Sequence, residues 1–325
     1  MNLASLLNPR RLPLVITTSL FALLYGFGAV SYDAFLSPQV FVNLLIDNGF
    51  LVVVAVGMTF VIISGGIDLS VGSIVALTTM VSATLAQHYG WSFWQILPLV
   101  LVMGSLFGLF MGVLIQVFKL QPFIVTLGGM FLARGLCYVI SIDSISITEP
   151  SFKTLSEYRI PVGSETFIST SVVVAIVVVA IGIYLAHFTR FGRTVYAIGG
   201  NERSAMLMGL PVGSTKIMVY VLSGFCSALG GVLVTLYMLS GYGLHALGME
   251  LDAIAAAVIG GTLLTGGVGY VIGTLVGVAI LGVIQTLIVF DGTLSSWWTR
   301  IAIGALLFVF CLMQRLLDRT GKKIS

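Results

Sequence analysis

Apolar runs follow one another along almost the whole chain, and most are at least about 17 residues long, enough to cross ~30 Å of hydrocarbon as a helix rising ~1.5 Å per residue. Only 8% of the 325 residues are charged and 58% are hydrophobic, where a soluble domain carries about 25% charge. So little charge cannot cover a globule in water, so lipid must be most of the surroundings. The runs do not alternate in period two, which excludes a membrane β-barrel and leaves helices. The fold class is therefore all-α, a polytopic bundle of eight to ten membrane helices. No polar stretch is long enough for a second domain, so residues 1–325 form one membrane domain.

The runs are Leu12–Val30, Asn48–Ser64, Leu69–Gln87, Phe93–Phe118, Phe123–Ile142, Phe167–Phe188, Ile217–Leu239, Ala253–Leu264, Val268–Phe290 and Ile301–Leu317. Arg10 and Arg11 before the first run, with Ala29-Val30-Ser31 after it, imitate a secretory leader. The run is long for a leader core, so a retained first span is expected. Asp33–Asp47 mixes Phe35, Leu36, Phe41, Leu44 and Leu45 with polar residues, the pattern of a helix lying in the interface. Asp143–Glu165 and Gly241–Asp252 read as loops. Cys137, Cys226 and Cys311 each fall in an apolar run without metal-ligand spacing, so they read as small core residues.

Alternating sides from an internal N-terminus puts Arg10, Arg11, Lys119, Arg190, Arg193, Arg203, Lys216, Arg315, Arg319, Lys322 and Lys323 inside. Those eleven of fifteen basic residues satisfy the positive-inside rule. Both termini are then cytoplasmic.

Two glycine pairs interrupt the apolar pattern. Ser64-Gly65-Gly66-Ile67-Asp68-Leu69-Ser70-Val71-Gly72-Ser73 matches Thr265-Gly266-Gly267-Val268-Gly269-Tyr270-Val271-Ile272-Gly273-Thr274 at a constant offset, as an internal duplication would. Glycine-interrupted segments in corresponding positions point to a transport site. Unpaired backbone groups at such a break must face protein or a watery cavity. The shortness of the pieces beside the breaks allows one or both pairs to be re-entrant, which gives eight crossings instead of ten. Candidate path residues are Asn48, Ser64, Gly65, Gly66, Asp68, Ser70, Arg134, Thr265, Gly266 and Gly267. Asp68 either caps its turn or presents a carboxylate to the path. The glycines either break helices or simply let them pack closely. Arg134, charged within a span, either meets a partner or snorkels toward the cytoplasm.

Catalysis finds no support. His88, His187 and His245 lie at ends of apolar pieces without ligand spacing, and no hydrolase, zinc-protease or nucleotide-binding motif occurs. If ATP drives this chain, another chain binds it. Nine of the twelve acids map to outer loops or segment ends on that side, which leaves Asp68 as the main interior candidate and weakens an ion-coupled carrier. A passive channel is the other reading without an engine. The polar island Thr189–Lys216 is the one wet stretch long enough to dock a partner. Within it Asn201–Met208 can form two helical turns, with Asn201 as cap, Glu202 in the first turn and Gly209 and Pro211 as stop. Arg203 and Ser204 lie on the same turns, and Met206 and Met208 are flexible apolar knobs for a partner's groove.

Gly57–Leu77 (GMTFVIISGGIDLSVGSIVAL) and Tyr196–Val212 (YAIGGNERSAMLMGLPV) resemble the permease subunits of bacterial monosaccharide ABC importers serving ribose, xylose, galactose and related sugars. The resemblance runs through roughly residues 12–315. Leu251–Gly269 and Phe290–Gly304 are most similar to a permease of the galactofuranose importer. It implies a multi-pass bacterial inner-membrane subunit that is not itself an enzyme. The implied partners are a second permease, identical or a paralogue, a periplasmic sugar-binding protein and a twin-cassette ATPase that holds the ATP and Mg. It further implies that Asn201–Met208 is the coupling helix docking on that ATPase. No cofactor, metal or nucleic acid is expected on this chain.

Overall fold

The computed structural model describes residues 12–162, 166–295 and 297–321; Arg10, Arg11, Glu165, Lys322 and Lys323 lie outside them. Thirteen α-helices are present among the described residues: α1 (Leu12–Ser31), α2 (Pro38–Ile63), α3 (Val71–Tyr89), α4 (Phe93–Val117), α5 (Pro122–Ile140), α6 (Pro150–Glu157), α7 (Thr170–Phe188), α8 (Arg190–Gly200), α9 (Glu202–Leu207), α10 (Val212–Met238), α11 (Met249–Ile259), α12 (Val271–Asp291) and α13 (Trp297–Gly321). Four short strands accompany them: β1 (Ile145–Ser146), β2 (Arg159–Pro161), β3 (Phe167–Ser169) and β4 (Ser240–Gly241). Strands β1 and β4 pair antiparallel, as do β2 and β3.

Eight of these helices, α1, α2, α4, α5, α7, α10, α12 and α13, are long and apolar enough to cross a bilayer. Helix α11 has 11 residues and rises only ~16 Å. Helix α3 is long enough but carries buried Ser73, Thr78, Thr79 and Ser82, which a neighbouring helix must cover. The chain is a multi-pass membrane protein.

Helix α2 is the axis. It is buried almost continuously from Asn48 to Ile63 and packs against α10, α12, α7 and α11. The expected interfacial helix over Asp33–Asp47 does not form. A short 3-10 turn covers Asp33–Leu36, and α2 then runs unbroken from Pro38. Ser37 caps it, its hydroxyl accepting from Val40 N, with Pro38 in the first turn; no helix breaker follows for 26 residues. Phe35 and Leu44 bury against Val283 and the flanking aromatics, so they face protein rather than lipid headgroups.

The tightest pair is α4 with α10. Gly104, Gly108 and Gly112, spaced four apart, form a small-residue stripe on α4 lying against Ile217, Tyr220, Gly224 and Ala228 of α10. A Cβ at Gly112 would stand 3.0 Å from Ile217 Cα. Such stripes let backbones approach and dispersion replace the hydrophobic drive that lipid does not supply. Close packing is thus real here, beside true helix breaks elsewhere.

The stretch between α10 and α11 is not an exposed loop. Gly241 lies on Thr79 and Ala83 of α3, and Ala246 O lies against Gly72 near the start of α3. The segment therefore descends along α3 by roughly 11 residues, about 16 Å, before α11 begins. Leu239 and Ala246 hold positive φ within it, uncommon for residues bearing a Cβ.

Candidate functional site

The two glycine turns meet in space, and a third glycine pair joins them. Gly65 and Gly266, equivalent in the repeat, share φ +83, a backbone that L-residues with a Cβ rarely adopt. A Cβ on Gly266 would stand 3.0 Å from Gly65 N and Cα and 3.1 Å from Gly199 Cα. A Cβ on Gly267 would stand 2.8 Å from Gly200 N. Gly267 N donates to Ile63 O at 2.9 Å, tying the second turn to the last residue of α2. Tyr196 Oη, on α8, donates to Gly269 O at 2.7 Å. So Gly199-Gly200, the end of α8 in the polar island, sits directly against both helix breaks.

The island holds two helices where the sequence suggested one. Thr189 caps α8, its hydroxyl accepting from Gly192 N at 3.1 Å. Gly192 lets α8 fold back onto the carbonyls of Leu185 and Ala186 at the end of α7. Helix α9 follows at once. Asn201 is its cap, with Oδ1 accepting from Ser204 N at 2.8 Å, and Gly209 closes it at φ +75. Ala205 buries with Ile198 and Val212. Lys216 of α10 donates to both oxygens of Glu202 at 2.9 Å, which fixes α9 to the root of α10. Asn201, Arg203 and Ser204 are exposed, and Met206, Leu207 and Met208 present 54%, 82% and 68% of their surface. Leu207 belongs with the two methionines but was not singled out from the sequence; only the helix phase reveals it.

Among the path candidates, Gly65 and Thr265 are exposed and Gly267 and Arg134 partly so. The rest are enclosed. Asn48 donates to Leu44 O within its own helix, and Ser64 donates to Val61 O. Asp68 is completely buried. Its Oδ1 accepts from Ser70 N at 3.0 Å and Ser70 Oγ at 2.6 Å, and its Oδ2 accepts from Ser223 Oγ at 2.7 Å. The carboxylate thus holds Ser70, the residue at which α3 begins, and pins it to α10. Beside the second turn a recess of about 430 Å³ opens, lined by His187, Tyr196, Gly267, Val268, Gly269 and Tyr270.

Arg134 does not snorkel toward the α9 end. Its Nη1 donates to Gly243 O at 2.5 Å and His245 O at 2.9 Å. These carbonyls belong to the segment descending along α3, and the guanidinium supplies their donor. The far end of α11 is served likewise: Thr17 donates to Ile259 O, and Gln314 to Val258 O and Thr262 O. Glu250, assigned to an outer loop from sequence, lies instead in the buried first turn of α11, and its Oε2 has no hydrogen-bond partner. Asp68 is therefore not the sole interior carboxylate. Arg300 pairs with Asp252 at 3.2 Å nearby. Among the described residues no group of acids, histidines and cysteines could hold a metal.

Comparison with known proteins places this arrangement. Residues 40–311 match the family model for the branched-chain amino acid transport system / permease component. The chain belongs to that family. It is 54% identical to an inner membrane ABC transporter permease protein, YjfF, of Escherichia coli K12, over 94% of this chain and 92% of the relative. It is 38% identical to the fructose import permease FruG of Bifidobacterium longum over 97% and 94%. It is 37% identical to the ribose import permease RbsC of Haemophilus influenzae over 87% of each. No solved structure matches the chain. The chain is a membrane permease subunit of an ABC transporter and not an enzyme; ATP hydrolysis resides in a separate subunit.

Proposed function

We propose that this permease imports a monosaccharide across the bacterial inner membrane, and that the sugar is galactofuranose or a close relative. Relatives named for fructose, ribose and D-allose support the sugar class over the amino acids of the family description. The likeness of Leu251–Gly269 and Phe290–Gly304 to a galactofuranose permease supports the finer reading. The α8–α9 end is cytoplasmic, as are both termini. There Met206, Leu207 and Met208 dock on a twin-cassette ATPase holding ATP and Mg. A second permease, read as a paralogue, completes the pore, and a periplasmic binding protein delivers the sugar.

The observation that carries the mechanism is the seating of Gly199-Gly200 on Ile63 and Gly266-Gly267. Closure of the ATPase pulls α9, and α8 passes the displacement to both helix breaks. Their exposed rims, Gly65 and Thr265, line the path between the two permeases. The enclosed members of the path set, Asn48, Ser64, Gly66, Asp68, Ser70 and Gly266, hold those rims in place, and Arg134 supports the descending segment.

The test is reconstitution in liposomes with a partner ATPase, a sister permease and a sugar-binding protein. ATP-driven uptake of galactofuranose, above ribose and fructose, is expected. Met206→Ser, Leu207→Ser and Met208→Ser together should abolish uptake and ATPase capture while the melting temperature holds. Downhill sugar movement by this chain alone would instead establish a passive channel or carrier.

A further inference from the structure

Opposite the α9 end, a pocket of about 230 Å³ lies among α2, α10, the end of α6 and the β2–β3 hairpin. Its walls include Asn43, Ser156, Arg159, Phe167, Thr170 and Tyr237. Nothing in the proposed coupling mechanism uses it. We propose that this pocket is a binding site for a single monosaccharide at the outer end of one permease chain.

Size is the first argument. The volume falls below the ~300–1,000 Å³ typical of drug-sized ligands, which suits one sugar ring better than two. Chemistry is the second. A sugar ring has apolar C–H faces and an edge of hydroxyls. Phe167 and Tyr237 supply flat apolar surface, while Asn43, Ser156 and Arg159 supply donors and acceptors of both kinds. The Thr170 hydroxyl is buried without a protein partner, while the Ser169 and Ser171 hydroxyls bond each other at 2.6 Å. The start of α7 thus places one unmatched hydroxyl and a mutually bonded pair beside the pocket.

Pre-organisation is the third argument. Gln39 of α2 holds β3 by both ends of its amide: Phe167 N donates to Oε1 at 3.0 Å and Nε2 donates to Phe167 O at 3.4 Å. The Arg159 guanidinium packs over the Phe167 ring, 4.3 Å from its centroid. Tyr237 Oη donates to Asp47 at 3.2 Å. These contacts set the walls before any ligand arrives and reduce the ordering cost of binding. Packed on the ring, Arg159 is held in place and still presents N–H donors to a ligand in the pocket.

The inference rests on the sugar-permease reading, and the test separates the two. The purified full chain in lipid nanodiscs, without ATPase or binding protein, is titrated with labelled D-galactose, D-ribose and D-fructose. Saturable binding of at least one is expected, at one per chain, with sucrose excluded. Ser156→Phe, which fills the pocket from α6, and Asn43→Leu, from α2, should each weaken binding at least tenfold. Leu207→Ser, at the other end, should leave it unchanged. No saturable binding, binding untouched in both pocket variants, or equal displacement by inorganic phosphate would overturn the site. ATP-driven uptake in the complete assembly is read separately. Uptake without binding to this chain would sink the pocket and leave the permease reading standing; binding without ATP-driven uptake would do the reverse.

Discussion

A single methyl group at Gly199 should disconnect the engine from the gate. The residue is helical without positive φ, so alanine meets no backbone strain of its own. Its Cβ would overlap Ile63 O and Gly267 N and stand 3.0 Å from Gly267 Cα. All three neighbours are backbone atoms, which cannot swing aside. Restoring ordinary carbon contacts of ~3.5–4.0 Å requires α8 to retreat by roughly 1–2 Å. Overpacking of this kind costs about 1–3 kcal/mol, and stretching the Gly267 N–H to Ile63 O bond adds about 1 kcal/mol. A displacement near 1 Å in a positioning element can reduce rate by about 100-fold. ATP-driven sugar uptake in proteoliposomes is therefore expected to fall ten- to 100-fold, while ATPase capture by Met206, Leu207 and Met208 persists. Gly200→Ala is the matched control, since a Cβ there meets nothing within 4 Å; it should transport at the parental rate. Equal uptake by both variants, or equal loss in both, would refute the idea that α8 transmits motion through this contact.

Three further outcomes follow from the same geometry. Glu202→Lys should cut uptake without blocking membrane insertion, because two lysines then face each other where α9 joins α10. The half-buried pair itself contributes on the order of 1 kcal/mol to stability, and the exchange Glu202→Lys with Lys216→Glu should restore uptake. Arg134→Leu should lower the thermal midpoint by several degrees, since two enclosed carbonyls lose their donor at about 1–3 kcal/mol each; an unchanged midpoint would show that water reaches them. Asp68→Ala should be equally destabilising, leaving Ser70 N, Ser70 Oγ and Ser223 Oγ without an acceptor, and Asp68→Asn should recover most of the loss in a melting assay.

How much of this was legible beforehand follows the range of the forces concerned. The all-helical membrane class is written in local composition, because lipid demands apolar runs and internally bonded backbone. The ends of α9 were readable for the same reason: Asn201 and Gly209 act within one turn of chain. The breaks at Gly65-Gly66 and Gly266-Gly267 were visible as a repeat, and the equal φ of Gly65 and Gly266 agrees with that match. Errors came where an apparently polar stretch is covered from afar. Asp33–Asp47 looked interfacial, yet Phe35 and Leu44 find Val283 of α12. Gly241–Asp252 read as a loop, and 243–248 are indeed turns, yet Met249–Asp252 is already helix and Arg134 of α5 satisfies the carbonyls of Gly243 and His245.

By itself, then, the sequence determined that this is a helical membrane bundle with two glycine-broken turns and one basic wet segment, since hydrophobicity, capping and glycine conformation act over a few residues. Only the tertiary structure decided that Gly199-Gly200 of that segment seats on both turns, that Asp68 is a strut and Arg134 a clamp, and that Leu207 joins the docking face. Those facts are contacts between residues scores of positions apart. A glycine's role depends on which backbone comes to lie where its side chain would be, and no local pattern records that.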